Sequence, residues 1–494
     1  MRRIALVLGV AVVAGGGVAA YAQAPAGDAG RLAAALQGDT PMVSDLRALT
    51  DEIGGRPTGS DANRRSVEWA LARFREAGVP AKAESFPMPR LWLERSARAA
   101  VGGDVSFAVR VAAMPFAPAT PAAGVTAPLV DGGRGSDADF LRLGESVRGA
   151  FLLVETQELK DLEGLFREYG EATALERRAL GAGAAGVVYM SSRPHGLLYR
   201  HNAAHGAQNT APLLIMDREA AGRVLRLLRE GRKLTLTAVI DAQDGGAYPA
   251  QNVIAEIRGR ERPDEVVIVG AHLDSWDLGT GALDNGCNVA MLIDVARQIQ
   301  RLGLRPRRTI RIALWNGEEQ GLFGSWGYAR DHAGELDRHV MAASFDIGSG
   351  RITGFFTGGR GAEITPTLEK ALEAVAGLGP FAHVDEPVVG TDNFDFMVEG
   401  VANLVAVQAD ATYGPDYHAS SDTFDKVDLL QMRKNAAVAA AVLWGFAEAP
   451  APWGRQTAEQ VQKLVETTTL KDQMVSFGVF EDWRSGRRGR RVAR

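Results

Sequence analysis

Cysteine is almost missing from this chain: Cys287 is the only one among 494 residues. That excludes an intramolecular disulfide and a thiolate-based metal cluster, so any bound metal must sit on histidine, aspartate and glutamate. Histidine is scarce as well, eight in all, which keeps the search for imidazole ligands short. Positive charge is not in excess: 55 Lys+Arg against 60 Asp+Glu give a net charge of −5, which excludes a dedicated basic nucleic-acid binder. A long hydrophobic run is absent too. The apolar stretch at residues 4–14 is short of the ~20 residues a membrane span needs and dilutes into Gly15-Gly16-Gly17. What is present is an ordinary globular composition, 46% hydrophobic and 23% charged. At roughly 150 residues per domain, the length predicts two or three domains, large enough to fold without staples.

The N-terminus reads as a secretory signal peptide over residues 1–22: Met1-Arg2-Arg3, a short apolar core, then Ala20-Tyr21-Ala22 with cleavage after Ala22. The product is expected to be exported, to a periplasm or the medium, with no membrane span left after cleavage. Residues 23–42 are small and polar and read as a flexible leader. From 43 to 119 helical spacing (Leu46, Leu49, Ile53, then Val67, Ala70, Leu71, Phe74) flanks the turn Gly54-Gly55-Arg56-Pro57-Thr58-Gly59-Ser60-Asp61, whose end supplies helix N-caps. The Pro/Ala-rich seam at 116–128 marks the start of an inserted domain, taken as 120–245, with short apolar runs read as strands at 149–154, 184–190, 213–216 and 234–240. Its loop holds His195, His201 and His205, which have no carboxylate beside them in sequence and read as surface histidines. Residues 246–450 alternate strand and helix, with strands at 266–270, 309–314, 341–345 and 402–407. That predicts an α/β fold, a mostly parallel sheet sandwiched by helices. Residues 451–494 read as a C-terminal helix region and an Arg-rich tail with six arginines and no acid in the last eleven residues. Such a tail could bind anionic surfaces, but it is expected to be a frayed, solvated end.

In open α/β sheets, ligands bind beyond the carboxyl ends of the strands, so the residues following each strand carry the chemistry. After the first of these four strands comes His272-Leu273-Asp274-Ser275-Trp276-Asp277, then a glycine-rich loop to Asp284-Asn285-Gly286. After the second comes Gly317-Glu318-Glu319-Gln320-Gly321. Asp346 ends the third. Asp410, Tyr413 and Tyr417-His418 follow the fourth. Two imidazoles with three carboxylates suit zinc and tolerate manganese or cobalt. Asp284, Glu319 and Asp346 packed together would repel unless cations joined them. Singly, Asp284 reads as an N-cap and paired glutamates as complements of a helix dipole; together, at successive strand ends, they read as a site. Gly279-Thr280-Gly281 lacks the Lys-Ser/Thr ending of a phosphate loop.

These segments, with Gly390-Thr391-Asp392 and the Gly-Arg-Pro-Thr-Gly-Ser turn, resemble the co-catalytic zinc exopeptidases, of aminopeptidase and glutamate carboxypeptidase type, and most of all the carboxypeptidase Q type. The likeness spans most of residues 43–448 and extends to an insert similar to a protease-associated domain. It implies two zinc ions per chain, with Asp284 bridging, His272 and Asp346 at one ion, and Glu319 and His418 at the other. Glu318 would be the general base, Asp274 would orient His272, and Tyr417 would steady the oxyanion. A cis peptide is implied at Asp284–Asn285, and relatives with this insert are often homodimers. The substrate would be a dipeptide or short peptide cut at a chain end. Asp392, Asp395 and Asp410 are candidates to hold an α-ammonium, and Arg193 or Arg200 a terminal carboxylate, leaving carboxypeptidase and aminopeptidase both open. A single-zinc glutaminyl-cyclase-like acyltransferase and a non-catalytic binding relative are further alternatives. Cys287 is expected to be inert packing, and Ala419 stands where the family often has a hydroxyl.

Overall fold

The strand Arg262–His272 carries Val266, Val267, Ile268, Val269 and Ala271 with almost no polar interruption. Its side chains alternate between two cores: Val267, Val269 and Ala271 enter one, Val266 and Ile268 the other. A strand buried on both faces belongs at the centre of a parallel sheet, and that is where the computed structural model has it. The model describes residues 27–160, 162–200, 210–410, 413–450 and 453–492. The expected signal peptide, His201 and His205 lie outside the described residues.

The first sheet has seven strands in the order Ala81–Met88, Tyr248–Ile257, Arg308–Trp315, Arg262–His272, His339–Ser344, Asn403–Gln408, Ile352–Phe356. The four from Arg308–Trp315 to Asn403–Gln408 run parallel and the outer strands are antiparallel. Helices Cys287–Arg301 and Leu429–Glu448 cover one face; Phe323–Asp331 and Asn393–Val398 cover the other through Tyr328 and Phe396. All four parallel strands end on one edge, so His272, the Glu318–Glu319 turn, Asp346 and the segment leading to His418 converge there. Among the described residues no helix is long and apolar enough to cross a membrane.

A second sheet of eight strands has its own core. It starts earlier than residue 120: the strand Leu91–Gly103 pairs with Leu234–Gly245 from Leu91↔Gly245 to Gly103↔Leu234. Leu91–Gly103 is largely half-exposed and carries Glu94, Arg95 and Arg98, so its hydrophobic alternation is weak and the Pro-rich seam beyond it drew the boundary instead. The expected flexible leader contains a helix, Asp28–Leu36, whose Leu32, Ala33 and Leu36 are buried in the first core. Three apolar positions at spacings of one and three suffice to dock a helix that composition alone reads as polar. The C-terminus is docked as well. Helices Ala458–Thr467, Leu470–Ser476 and Phe480–Arg484 pack on Val389, Phe394, Met397 and Val398. Instead of fraying, the Arg-rich tail buries Arg488 completely against Asp395, because a carboxylate in the core needs a paired cation.

Candidate metal centre

Two donor groups share one residue. His272, Asp284 and Asp346 form one; Asp284, Glu319 and His418 form the other, and within each the donor atoms lie within 4.8 Å of one another. Asp284 presents a different oxygen to each imidazole. Its Oδ1 is 3.0 Å from His272 Nε2 and its Oδ2 is 3.3 Å from His418 Nε2. His272 Nε2 is also 2.9 Å from Asp346 Oδ1, and His418 Nε2 is 2.9 Å from Glu319 Oε2. All five side chains are buried.

The set fits divalent cations. Two donors about 2.1 Å from a tetrahedral zinc lie about 3.4 Å apart, close to the 2.9–3.3 Å separations seen here. Asp284 Oδ2 and Glu319 Oε1 are buried without a hydrogen-bond partner, an arrangement that is costly unless a cation completes it. Burial, opposed by His272 and reinforced by the Asp284 carboxylate, holds Asp346 above the usual carboxylate range. Glu319 is raised in the same way, with His418 opposing. Burial works against the charged His418, but the Glu319 and Asp284 carboxylates outweigh it and lift its imidazole to about 9. His272 is likewise raised, by Asp346 and Glu318 against burial.

The surrounding groups are held by segments distant in sequence. Asp422 accepts the backbone N–H groups of Ala282, Leu283 and Asp284 at 3.0, 2.6 and 3.2 Å. The following peptide, Asp284–Asn285, is cis. Asn285 Nδ2 donates to Asp346 Oδ1 at 2.8 Å. Gly279 and Gly281 are required by close approach: a Cβ at Gly279 would lie 2.6 Å from the Ala419 carbonyl oxygen, and one at Gly281 2.3 Å from Ser275 Cβ. Asp274 does not orient His272 through its carboxylate, which stands 3.6 Å away; the Asp274 carbonyl takes the Nδ1 contact at 2.9 Å. The carboxylate instead accepts from Thr58 Oγ1 at 2.7 Å and from the Gly317 N–H at 3.0 Å, tying the turn that carries Glu318.

Glu318 is half-buried and lines a cleft of about 170 Å³ together with all five donor residues. Burial and the carboxylates of Asp346, Glu319 and Asp392 push it well above its ordinary value, with His272 opposing. Tyr417 also lines the cleft, beside Tyr169, and its ring stacks on His418 at 3.7 Å.

None of the five candidate substrate contacts lines the cleft. Arg200 is buried in ion pairs with Asp277 and Glu94 and donates to the Ala113 carbonyl, while its own carbonyl meets His418 Nδ1 at 3.0 Å. Arg193 is buried beside the Tyr199 ring and donates to the Tyr417 carbonyl at 3.2 Å. Asp392 is buried and absent from the cleft lining, which Gly390 and Thr391 supply. Asp410 is exposed and accepts the Gly414 N–H. Asp395 is paired with Arg488. Arg193, Arg200 and Asp395 thus have protein partners and Asp410 stays in water, while Asp392 keeps a buried Oδ1 without a hydrogen-bond partner.

Other residues take part unannounced. Arg56, fully buried, donates to the carbonyls of Leu273, Thr280 and Gly281, bracing the loop between His272 and Asp284. An arginine in the turn expected to start a helix was the one available signal. One face of the helix Leu162–Gly181 (Leu165, Tyr169, Ala172, Thr173, Glu176) and Phe477 near the C-terminus complete the cleft.

Against known proteins, the profile of peptidase family M28 matches residues 252–443. Carboxypeptidase Q of Bos taurus is 27% identical over 410 residues, covering 82% of this chain and 84% of that protein. The crystal structure of a peptidase M28 precursor from Shewanella amazonensis superposes with a TM-score of 0.78 at 27% identity, covering 87% of this chain and 97% of that one. A zinc aminopeptidase from Bacillus subtilis shares the fold, with a TM-score of 0.64 at 20% identity over 82% of this chain and 93% of that one. The matched segment contains both donor groups and Glu318, and the chain is a metallopeptidase similar to peptidase family M28 over that segment.

Proposed function

We propose that this protein is an exported exopeptidase that holds two zinc ions and hydrolyses dipeptides or short peptides at a chain end. The observation that carries the reading is Asp284, which offers one carboxylate oxygen to each of two buried donor groups. His272 and Asp346 would hold one ion, Glu319 and His418 the other, with Asp284 between them. Bound divalent cations supply Lewis acidity that polarises a peptide carbonyl and acidifies water. Glu318, outside both donor groups and raised by its surroundings, takes the proton from the attacking water and delivers it to the leaving nitrogen. The Tyr417 hydroxyl is the donor for the developing oxyanion. The N-terminal signal pattern of residues 1–22 supports export.

Glu318→Gln is expected to lower kcat by about 10²–10⁴-fold with zinc content by elemental analysis unchanged; full activity would overturn the assigned base. Aminopeptidase action is favoured over carboxypeptidase action by one observation. Among the described residues no lysine or arginine lines the cleft to meet a terminal carboxylate, and four carboxylates besides the bridging one do. N-acetylated dipeptides should then be poor substrates beside free ones, whereas amidation of the C-terminus should be tolerated; the opposite ranking would assign carboxypeptidase action.

A further inference from the structure

The helix Leu162–Gly181 turns Leu165, Tyr169, Ala172, Thr173 and Glu176 to the cleft at the i, i+3, i+4 spacing of one helical face. Tyr169 meets Tyr417, the residue stacked on His418. Glu176 is seven positions further along, about 10 Å by helix rise. Its neighbours on that wall are mostly apolar: Leu165, Ala172, Met114 and Pro115. It is only 7% exposed, and among the described residues its hydrogen-bond partner is Tyr189, whose hydroxyl donates to Oε1 at 3.2 Å. No arginine, lysine or histidine among the described residues forms an ion pair with it. Nearby, Asp395 has Arg488, Glu168 has Arg193, and Asp284, Asp346 and Glu319 stand against the two imidazoles. A carboxylate buried at a cleft wall with one neutral donor is incomplete without a positive group.

We infer that Glu176 is a cation-recognition subsite that receives an ammonium or guanidinium group of the peptide substrate. The inference rests on the exopeptidase reading for its substrate and adds the charge of that substrate. Burial holds the free carboxyl up at about 7, with the Tyr189 hydrogen bond opposing. A bound cation would stabilise the carboxylate form, as the ion pair is formed away from bulk water. The group could be a side chain or the α-ammonium; both present the same N–H donors, and the two are separable with substrates.

The test compares zinc-loaded wild type and Glu176→Gln, a near-isosteric change that keeps the Tyr189 hydrogen bond, on lysyl-alanine, norleucyl-alanine, alanyl-lysine and alanyl-norleucine, with the N-acetyl form of each. A charge-assisted hydrogen bond in a buried site predicts a loss of about ten- to hundredfold in kcat/KM, mostly in KM, for peptides carrying the recognised cation, and less than about threefold for the others. Loss confined to lysine-containing peptides assigns a side chain, and loss confined to unblocked peptides assigns the α-ammonium. A uniform loss across the set, or none, overturns the subsite. Calorimetric binding of lysyl-alanine against N-acetyl-norleucyl-alanine to the metal-free proteins provides a readout that needs no turnover. If no peptide is hydrolysed but wild type binds the lysyl peptide more tightly and Glu176→Gln does not, the subsite stands and the exopeptidase reading falls. If the two proteins bind alike, the subsite falls whatever the activity.

Discussion

Asp284 is the residue on which the centre turns. Three buried carboxyl groups and two imidazoles occupy one strand edge, and the groups belong to two triads only because Asp284 is in both. Its carboxyl is held well below the ordinary range, burial notwithstanding, by the adjacent imidazoles of His272 and His418. Removing its charge should therefore affect both triads, whereas each outer ligand serves one. Asp284→Asn is expected to leave well under one zinc per chain after dialysis, while Asp346→Asn and Glu319→Gln each retain about one of two. Elemental analysis of the three purified variants decides the matter; equal zinc in all three would show that no residue bridges. The donor set was legible because strand-end chemistry is local: His272, Glu319, Asp346 and His418 each follow a recognisable apolar run, and their residue types match what a metal requires. The substrate contacts were not. Arg193 and Arg200 are satisfied by partners that sequence spacing cannot reveal, such as Asp277, 77 residues from Arg200.

At the scale of elements, the C-terminal segment acts on the catalytic turn. Arg488 makes a bidentate pair with Asp395 at 2.7 and 2.8 Å and reaches the carbonyls of Gly321 and Leu322 at 3.3 and 3.4 Å, wedged between Trp326 and Phe394. Gly321 and Leu322 follow Glu318-Glu319 after Gln320 alone and line the cleft. Composition read this tail as solvated because six arginines in eleven residues resemble a disordered end; a single buried counter-charge, Asp395, reverses that. The parallel strands were readable from continuous apolar runs, and the half-exposed strand Leu91–Gly103 was not. Arg488→Met should strand the Asp395 carboxylate and cost about 3–5 kcal/mol of stability. Pairing it with Asp395→Leu should recover most of that loss, since an apolar pair can replace a buried ion pair. Because the contacts to Gly321 and Leu322 are still missing, kcat should stay reduced in the double variant. Thermal melts beside steady-state kinetics separate the two effects, and kcat recovering together with stability would limit Arg488 to a structural role.

At the scale of the molecule, the second sheet is joined to the metal centre by the segment that ends at Arg200. The Arg200 N–H donates to the His418 carbonyl at 3.0 Å, His418 Nδ1 meets the Arg200 carbonyl at 3.0 Å, and the Ser420 N–H donates to the Leu198 carbonyl at 2.8 Å. Trp276 and Ala419, from the catalytic unit, are buried in the core of the second one. The second sheet's segment thus holds His418, a residue of the proposed metal centre, in place as well as walling the cleft. The Arg200 guanidinium anchors this segment through Asp277 and Glu94. Loosening it should weaken the hold on His418 alone, because His272 takes its Nδ1 contact from Asp274 within its own loop. Groups that orient a ligand histidine from behind typically contribute about 10- to 100-fold to metal affinity. Arg200→Met should therefore lose zinc from the Asp284–Glu319–His418 group first, with activity returning as free zinc is raised through that range. If competitive chelator titration finds both zinc affinities unchanged while the protein melts earlier, His418 is held by its own loop and the second unit serves only as a wall.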